Sequence, residues 1–397
     1  MAVYPKKTAL DMLSPMKKPA TRLSPTLLAI LACACLIGVR AAVHAQTSVG
    51  APSTSLTPGP KPADVSTGWK NLVGIYSRNK GKVVILEREG QLFLKPDDGP
   101  KFLIQNYADS RFLISLKSGP TLGASVQRDL AGNVTTLNLP ARYVPPLEPR
   151  SDIAPPENLL RPLYFTRADA GSDPAHFYHV TPAKPVTELR AAALAAQPPS
   201  EAGPFREPDL VELATLDPGF HLDIRYAQSN NFLSTPVYTQ ARAFMQRPAA
   251  EALLRALNKL KPLGYGLLIH DAYRPWYVTK IFWDATPPES HNFVADPKKG
   301  SKHNRGCAVD ITLYDLATNQ PIEMPGLYDE MSPRSFPDFP GGTSLQRWHR
   351  DLLRRAIESE GFTVDTNEWW HFDYKEWKHY PILNLPFEDL SAVSPSR

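Results

Sequence analysis

The chain has 397 residues, enough for two domains of ordinary size, and its 42% hydrophobic and 21% charged residues are the composition of a soluble globular protein. Its net charge of +4 comes from residues 1–45, where Lys6, Lys7, Lys17, Lys18, Arg22 and Arg40 face only Asp11. Taking these from the totals of 44 basic and 40 acidic residues leaves 38 and 39, so nothing argues for a nucleic-acid partner.

Residues 1–45 read as an export signal. Lys17, Lys18 and Arg22 precede an apolar run from Leu27 to Val39, and Val43-His44-Ala45 offers small residues for cleavage before Gln46. The run is too short for a comfortable membrane span. An uncleaved anchor, or a lipoprotein acylated at Cys33, are the alternatives. With the signal cleaved, the protein is expected to be exported, to lie in the periplasm and to have no membrane span. Cys33 and Cys35 would leave with the signal, so Cys307 would have no partner for a disulfide.

Residues 46–67 are rich in Ser, Thr, Pro and Gly and read as a flexible linker. Residues 68–182 have another texture. Val83–Leu86, Gln91–Leu94, Phe102–Ile104 and Phe112–Leu116 are short β-favouring runs. Lys80-Gly81, Glu89-Gly90, Asp98-Gly99 and Gly132-Asn133 punctuate them as turns. Strands so closely spaced predict a small all-β, barrel-like accessory domain. It loosely resembles the lipocalin-like modules attached to some exported bacterial hydrolases. His176 and His179, near its end, lack a carboxylate partner in the pattern and are read as incidental. Residues 183–208, rich in Ala and Pro, read as a second linker with a helical hint at Thr187–Ala196.

The block 209–397 alternates. Leu253, Leu257 and Leu260 share a stripe of a helix from Pro248 to Leu260. Tyr265–Ile269 reads as a buried strand that delivers His270 to Arg274 into a loop. Pro275 opens a second helix through about Trp283, and Ser344 to Glu360 forms a third, stopped by Gly361. This order predicts an α+β domain with a mainly antiparallel sheet flanked by helices.

Two segments here carry chemistry. Cys307 to Leu313 should be a strand, with Val309, Ile311 and Leu313 on one face and Ala308, Asp310 and Thr312 on the other. Asn304-Arg305-Gly306 can turn the chain so that His303 approaches Asp310. The second segment, Glu368-Trp369-Trp370-His371, adds an imidazole, with Glu368 expected in a loop just before a strand. Two imidazoles, a carboxylate ligand and a neighbouring carboxylate base make the inventory of a hydrolytic zinc site. Arg274 would supply fixed positive charge where an oxyanion develops. The helical His-Glu-x-x-His signature is absent. Cys307 is read as packing on the apolar face rather than as a fourth ligand.

These segments, in order with Asp223–Ala227, Asn231-Phe232, Gly264–Leu268, Ala272–Pro275, Ser301–Asp310, Tyr328–Met331 and Arg334-Ser335, resemble the D-alanyl-D-alanine dipeptidases of the vancomycin-resistance type, among the zinc D,D-peptidases. The resemblance covers about residues 209–385. It implies one Zn2+ on His303, Asp310 and His371, Glu368 as general base and acid, and Arg274 stabilising the transition state. It further implies that Tyr226 and Asp329 receive the amino group of a small D,D-dipeptide and that Ser301 lies near the substrate. Lys302 departs from the small residue more usual there, and export departs from the cytoplasmic site of the best-known relatives. A peptidoglycan D,D- or L,D-carboxypeptidase shares the same metal site, and an inactive envelope binding module is the alternative of another class. The sequence carries no indication of oligomeric state.

Overall fold

A computed structural model describes residues 55–79, 81–97, 99–108, 110–115, 121–140, 163–168 and 179–390. The expected export signal, the start of the first linker and His176 lie outside the described residues. No helix among those described is long and apolar enough to cross a membrane.

A short helix, α1 (Thr67–Leu72), leads into eight strands: β1 (Gly74–Arg78), β2 (Gly81–Arg88), β3 (Gln91–Pro96), β4 (Phe102–Ala108), β5 (Arg111–Ser115), β6 (Leu122–Arg128), β7 (Val134–Leu139) and β8 (Leu163–Arg167). Each pairs antiparallel with the next, and β8 closes on β1 through Tyr76↔Arg167 and Ser77↔Thr166. The predicted barrel is therefore present and closed, which leaves no open sheet edge. Alternating residues fill it: Ile85, Leu94, Ile114 and Leu137 are wholly buried. At the β2–β3 turn Glu89 and Gly90 both have positive φ, 52° and 75°, the conformation a tight hairpin requires.

The segment read as the second linker holds α2 (Val186–Ala195), whose Leu189 and Ala193 join the core of the following block. Its alanines give the helix a weak apolar stripe, which is why the pattern alone suggested only a hint. Residues 55–66 also lie against that block: Gly59 accepts from the Trp348 indole at 3.0 Å, and Lys61 Nζ donates to the Tyr265 hydroxyl at 2.7 Å.

The C-terminal block is α+β. β9 (Leu210–Glu212) and β11 (Phe244–Gln246) form a two-stranded ribbon. The main sheet runs β10 (Phe220–Leu222), β12 (Tyr265–Asp271), β13 (Ala308–Asp315), β15 (His371–Tyr374), β14 (Phe362–Val364). β10 and β12 are parallel and the other pairings antiparallel, so the sheet is mixed. Around it lie α3 (Arg247–Leu260), α4 (Trp276–Ala285) and α5 (Ser344–Glu358). In α3, Leu253, Ala256, Leu257 and Leu260 are fully buried, and Gly264 at φ 89° ends the turn that follows. Thr343 and Gln346 close a capping box at the start of α5.

Two expectations shift. β12 runs on to Asp271, so His270 and Asp271 belong to the strand, held by pairing with β13 across a bulge. β15 begins at His371, so Trp369 and Trp370 precede it. The barrel docks on the C-terminal block at α5. Buried Glu87 accepts from the Ser344 backbone and, at 3.2 Å, from its hydroxyl, while Arg347 donates to the Glu87 carbonyl at 2.8 Å.

Candidate metal and peptidase site

Sheet register assembles the site. Asp271 on β12 pairs with Asp310 on β13, which pairs with His371 on β15. His303 arrives from a 3-10 turn, His303–Arg305, closed by Gly306 at φ 66°; a Cβ there would meet Leu210 at 2.5 Å, so this turn needs glycine. Asn304 braces the turn by donating to the Arg274 carbonyl at 2.8 Å and to Thr279 at 2.9 Å, and by accepting from the Ser301 backbone at 2.7 Å.

His303 Nε2, His371 Nδ1 and Asp310 Oδ1 meet at 3.0 to 3.3 Å from one another. The other ring nitrogens fix the tautomers. His303 Nδ1 lies 2.6 Å from the Ala272 carbonyl, and His371 Nε2 lies 2.9 Å from Asp373 Oδ1; both partners only accept, so both nitrogens carry hydrogen. Three lone pairs thus converge, a donor set that calls for a cation. Tetrahedral zinc with bonds of about 2.0–2.2 Å sets neighbouring ligand atoms roughly 3.3 Å apart. The residues therefore fit a zinc ion. They are the group of three found among the described residues that could hold a metal. Burial works against ionising Asp310, but the two histidines outweigh it and hold its carboxyl well below the usual range.

Asp373 was not anticipated. It orients His371 and is itself paired with Lys302. Its position two residues after His371 on one strand face could have revealed it. Glu368 leans over the trio, with Oε2 3.8 Å from His371 Nδ1. Enclosure pushes its carboxyl up to about 8; His371 opposes this, while Asp310, Asp365 and Asp329 add to it.

Arg274 is buried, with Nη2 3.7 Å from Asp310 Oδ2. Asp271 holds it through Nε at 2.8 Å and Nη2 at 2.7 Å, and Tyr238 donates to Asp271 at 2.7 Å. Asp271 and Tyr238 were likewise not anticipated. The guanidinium rests 4.8 Å from the Phe282 ring centre and 5.3 Å from that of Tyr226.

At the far end Tyr226 lies 3.0 and 3.2 Å from the two oxygens of Asp329. Asp329 has φ 58°, unusual for a residue with a side chain. Burial, with Asp310 adding to it, pushes its carboxyl up to about 8. Tyr328 bridges the two ends, 3.0 Å from Asp310 Oδ2 and 3.1 Å from the Tyr226 hydroxyl. Ser301 Oγ accepts from the His303 backbone at 3.2 Å. All eight residues singled out from sequence, Tyr226, Arg274, Ser301, His303, Asp310, Asp329, Glu368 and His371, line one cavity of about 410 Å3. Cys307 is fully buried in the apolar core. Of the unassigned histidines, His270 stacks on Tyr328 behind the site, and His349 is buried against Tyr265.

Residues 206–388 match the family model described as D-ala-D-ala dipeptidase. The D-alanyl-D-alanine dipeptidase of Escherichia coli (strain K12) is 34% identical over 175 residues, covering 44% of this chain and 89% of the relative. That of Enterococcus faecium is 33% identical over 190 residues, covering 43% and 92%. That of Streptomyces coelicolor is 32% identical over 179 residues, covering 41% and 89%. With nearly the whole length of such relatives matched by its C-terminal block, the chain belongs to the D-Ala-D-Ala dipeptidase family and is a peptidase.

Proposed function

We propose that the protein is an exported, zinc-dependent dipeptidase that hydrolyses D-Ala-D-Ala or a close D,D-dipeptide in cell-wall peptide turnover. The observation that carries this is the pairing, in one cavity, of the convergent lone pairs of His303, Asp310 and His371 with the half-buried carboxyl of Asp329. His303, Asp310 and His371 would hold the zinc, which supplies a Lewis acid for the scissile carbonyl and acidifies water.

The chain's own residues divide the remaining work. Glu368 takes a proton from the attacking water and returns it to the leaving amine, and its raised pKa suits a group that must carry that proton. Arg274, fixed by Asp271, presents donors to the developing oxyanion. Asp329 and Tyr226 receive the dipeptide ammonium, and Ser301 lines the same cavity beside His303. A blocked stem peptide has no ammonium, so an acid at this end of the cavity favours the dipeptidase over a carboxypeptidase. The leader in residues 1–45 supports export, and recycling of wall-derived dipeptides fits that location better than removal of a cytoplasmic precursor.

The test is release of D-alanine from D-Ala-D-Ala and from its N-acetylated form, with and without zinc. Zinc-dependent cleavage of the free dipeptide alone is the expected result. Cleavage of the blocked form as well favours the carboxypeptidase, and cleavage of neither defeats both.

A further inference from the structure

The chain between α2 and β9, read from sequence as a linker, is tied to the metal site. Glu201 in this segment reaches the turn His303–Arg305 that carries one of the metal-facing histidines. Its Oε1 accepts from Arg305 Nη2, and its Oε2 lies 3.4 Å from Nη1. Oε2 also accepts the Ile382 backbone N–H at 2.7 Å. Further on, the Arg206 backbone donates to the His379 carbonyl at 2.8 Å, and its side chain pairs with Glu376. Glu201 precedes the matched block 206–388 and belongs to none of the motifs named above.

What Glu201 holds is the support of that turn. Ile382 packs on Gly300, where a Cβ would meet its Cδ1 at 2.3 Å. Leu383 donates its backbone N–H to the Asn304 carbonyl at 2.9 Å, and the Tyr380 carbonyl accepts from Arg305 Nη1. Glu201 therefore clamps the segment Tyr380–Leu383 to the turn it braces. Charge matters as much as shape. The Arg305 side chain is only 9% exposed, and Arg305 borders the metal cavity. A buried guanidinium needs an anion, and among the described residues Glu201 is the one carboxylate paired with it. Without Glu201, an uncompensated positive charge would stand in the His303 turn, beside a cavity whose donor set calls for a cation.

We propose that Glu201 is a positioning residue of the metal site: through Arg305 it holds the His303 turn and cancels a charge that would oppose the cation. The inference rests on the reading of His303, Asp310 and His371 as zinc ligands. It makes the chain that joins the barrel to the peptidase block part of the support of the metal site. Such coupling is reciprocal, so zinc steadies the Glu201 contact by the same factor by which the contact tightens zinc.

The experiment measures zinc affinity of the full chain by competition with a chelator, at a temperature where each variant keeps the wild-type near-ultraviolet circular dichroism. Glu201→Ala should weaken zinc binding about tenfold, and Glu201→Gln, which keeps the shape and loses the charge, should weaken it less but in the same direction. In an Arg305→Gln background, Glu201→Ala should change zinc affinity by less than about twofold, because the two residues act as a unit. Zinc should also slow amide hydrogen exchange at Ile382 in the wild type and leave it unchanged in Glu201→Ala. Wild-type zinc affinity in Glu201→Ala, even with a lowered melting temperature, makes the contact a plain brace and overturns the proposal. An equal loss with and without Arg305 overturns it as well. Wild-type protein that binds no zinc removes the metal reading itself, and this inference with it.

Discussion

The Tyr328 hydroxyl stands 3.0 Å from Oδ2 of Asp310, and through it the metal-facing end of the site is tied to the end proposed to receive an amine. The chain runs Asp329, Tyr226, Tyr328, Asp310, with a short contact at each of its three steps. Three contacts need three hydrogens, and the two phenols supply only two. The third belongs to Asp329 when its carboxyl is protonated, which agrees with its pKa of about 8.

Binding of a dipeptide ammonium should therefore displace that proton. At pH 7, D-Ala-D-Ala binding to the Glu368→Ala variant is expected to release about one proton, seen as a calorimetric heat that depends on the buffer's ionisation enthalpy. Affinity should rise with pH until the ligand's own ammonium begins to titrate at about 8. A heat that is the same in every buffer would sink this account.

The same proton sets a slope in stability. Asp329 holds it in the fold up to about 8, whereas an unfolded aspartate loses it near 3.8. The folded state thus binds more protons between those values, and the stability this provides is complete below the lower value and lost as pH rises through the upper. Thermal melts of metal-free protein should show that fall, to which Glu368, also raised to about 8, adds; Asp329→Asn should make it shallower, leaving the part due to Glu368. A wild-type melt insensitive to pH over this window contradicts the assignment.

Asp373 acts on the metal through His371, with Lys302 holding its other oxygen. Asp373→Ala should weaken zinc binding about 10- to 100-fold, measured by competition with a chelator. Lys302→Met should have a smaller effect of the same sign. Unchanged affinity in Asp373→Ala would show that His371 is oriented by other means.

Glu368 touches no backbone donor that the fold depends on, so its replacement separates chemistry from binding. Glu368→Gln is expected to lower kcat about 10²- to 10⁴-fold while zinc content stays at the wild-type level. Near-normal turnover with zinc bound would remove Glu368 from the proton-transfer role.

Glu87 is buried between the barrel and α5, where it takes hydrogens from Ser344 and from Gly90. A carboxylate at a helix N-terminus also meets the favourable end of the helix dipole. Glu87→Ala should cost about 1–3 kcal/mol, read from urea unfolding. A loss within error would mean that the two blocks dock without this contact.

Patterns of one element were legible in the sequence. The Leu253, Leu257 and Leu260 stripe foretold α3, and the alternation around Val309 and Ile311 foretold β13. The turn at Asn304–Gly306 and the loop position of Glu368 were legible because glycine and tight spacing constrain backbone locally. What escaped depends on partners far along the chain. Tyr328 matters because its hydroxyl reaches Asp310, and Asp271 because strand pairing across a bulge carries it beside Asp310. No local pattern encodes either relationship. The helix Val186–Ala195 was faint for another reason: its contacts use small alanines, whose burial leaves little periodic signal.

Cys307 joins the turn that holds His303 to the strand that carries Asp310, and it is fully enclosed, with burial pushing its thiol up to about 12. A thiol that holds its proton so tightly is a poor nucleophile and a poor partner for exchange. Cys307 is the one cysteine among the described residues, so no disulfide braces the sheet they form, and that sheet does not depend on the redox poise of its surroundings. Alkylation at this sulfur has to wait for the strand to open, so its rate is a clock for the opening of the sheet that holds the metal ligands together.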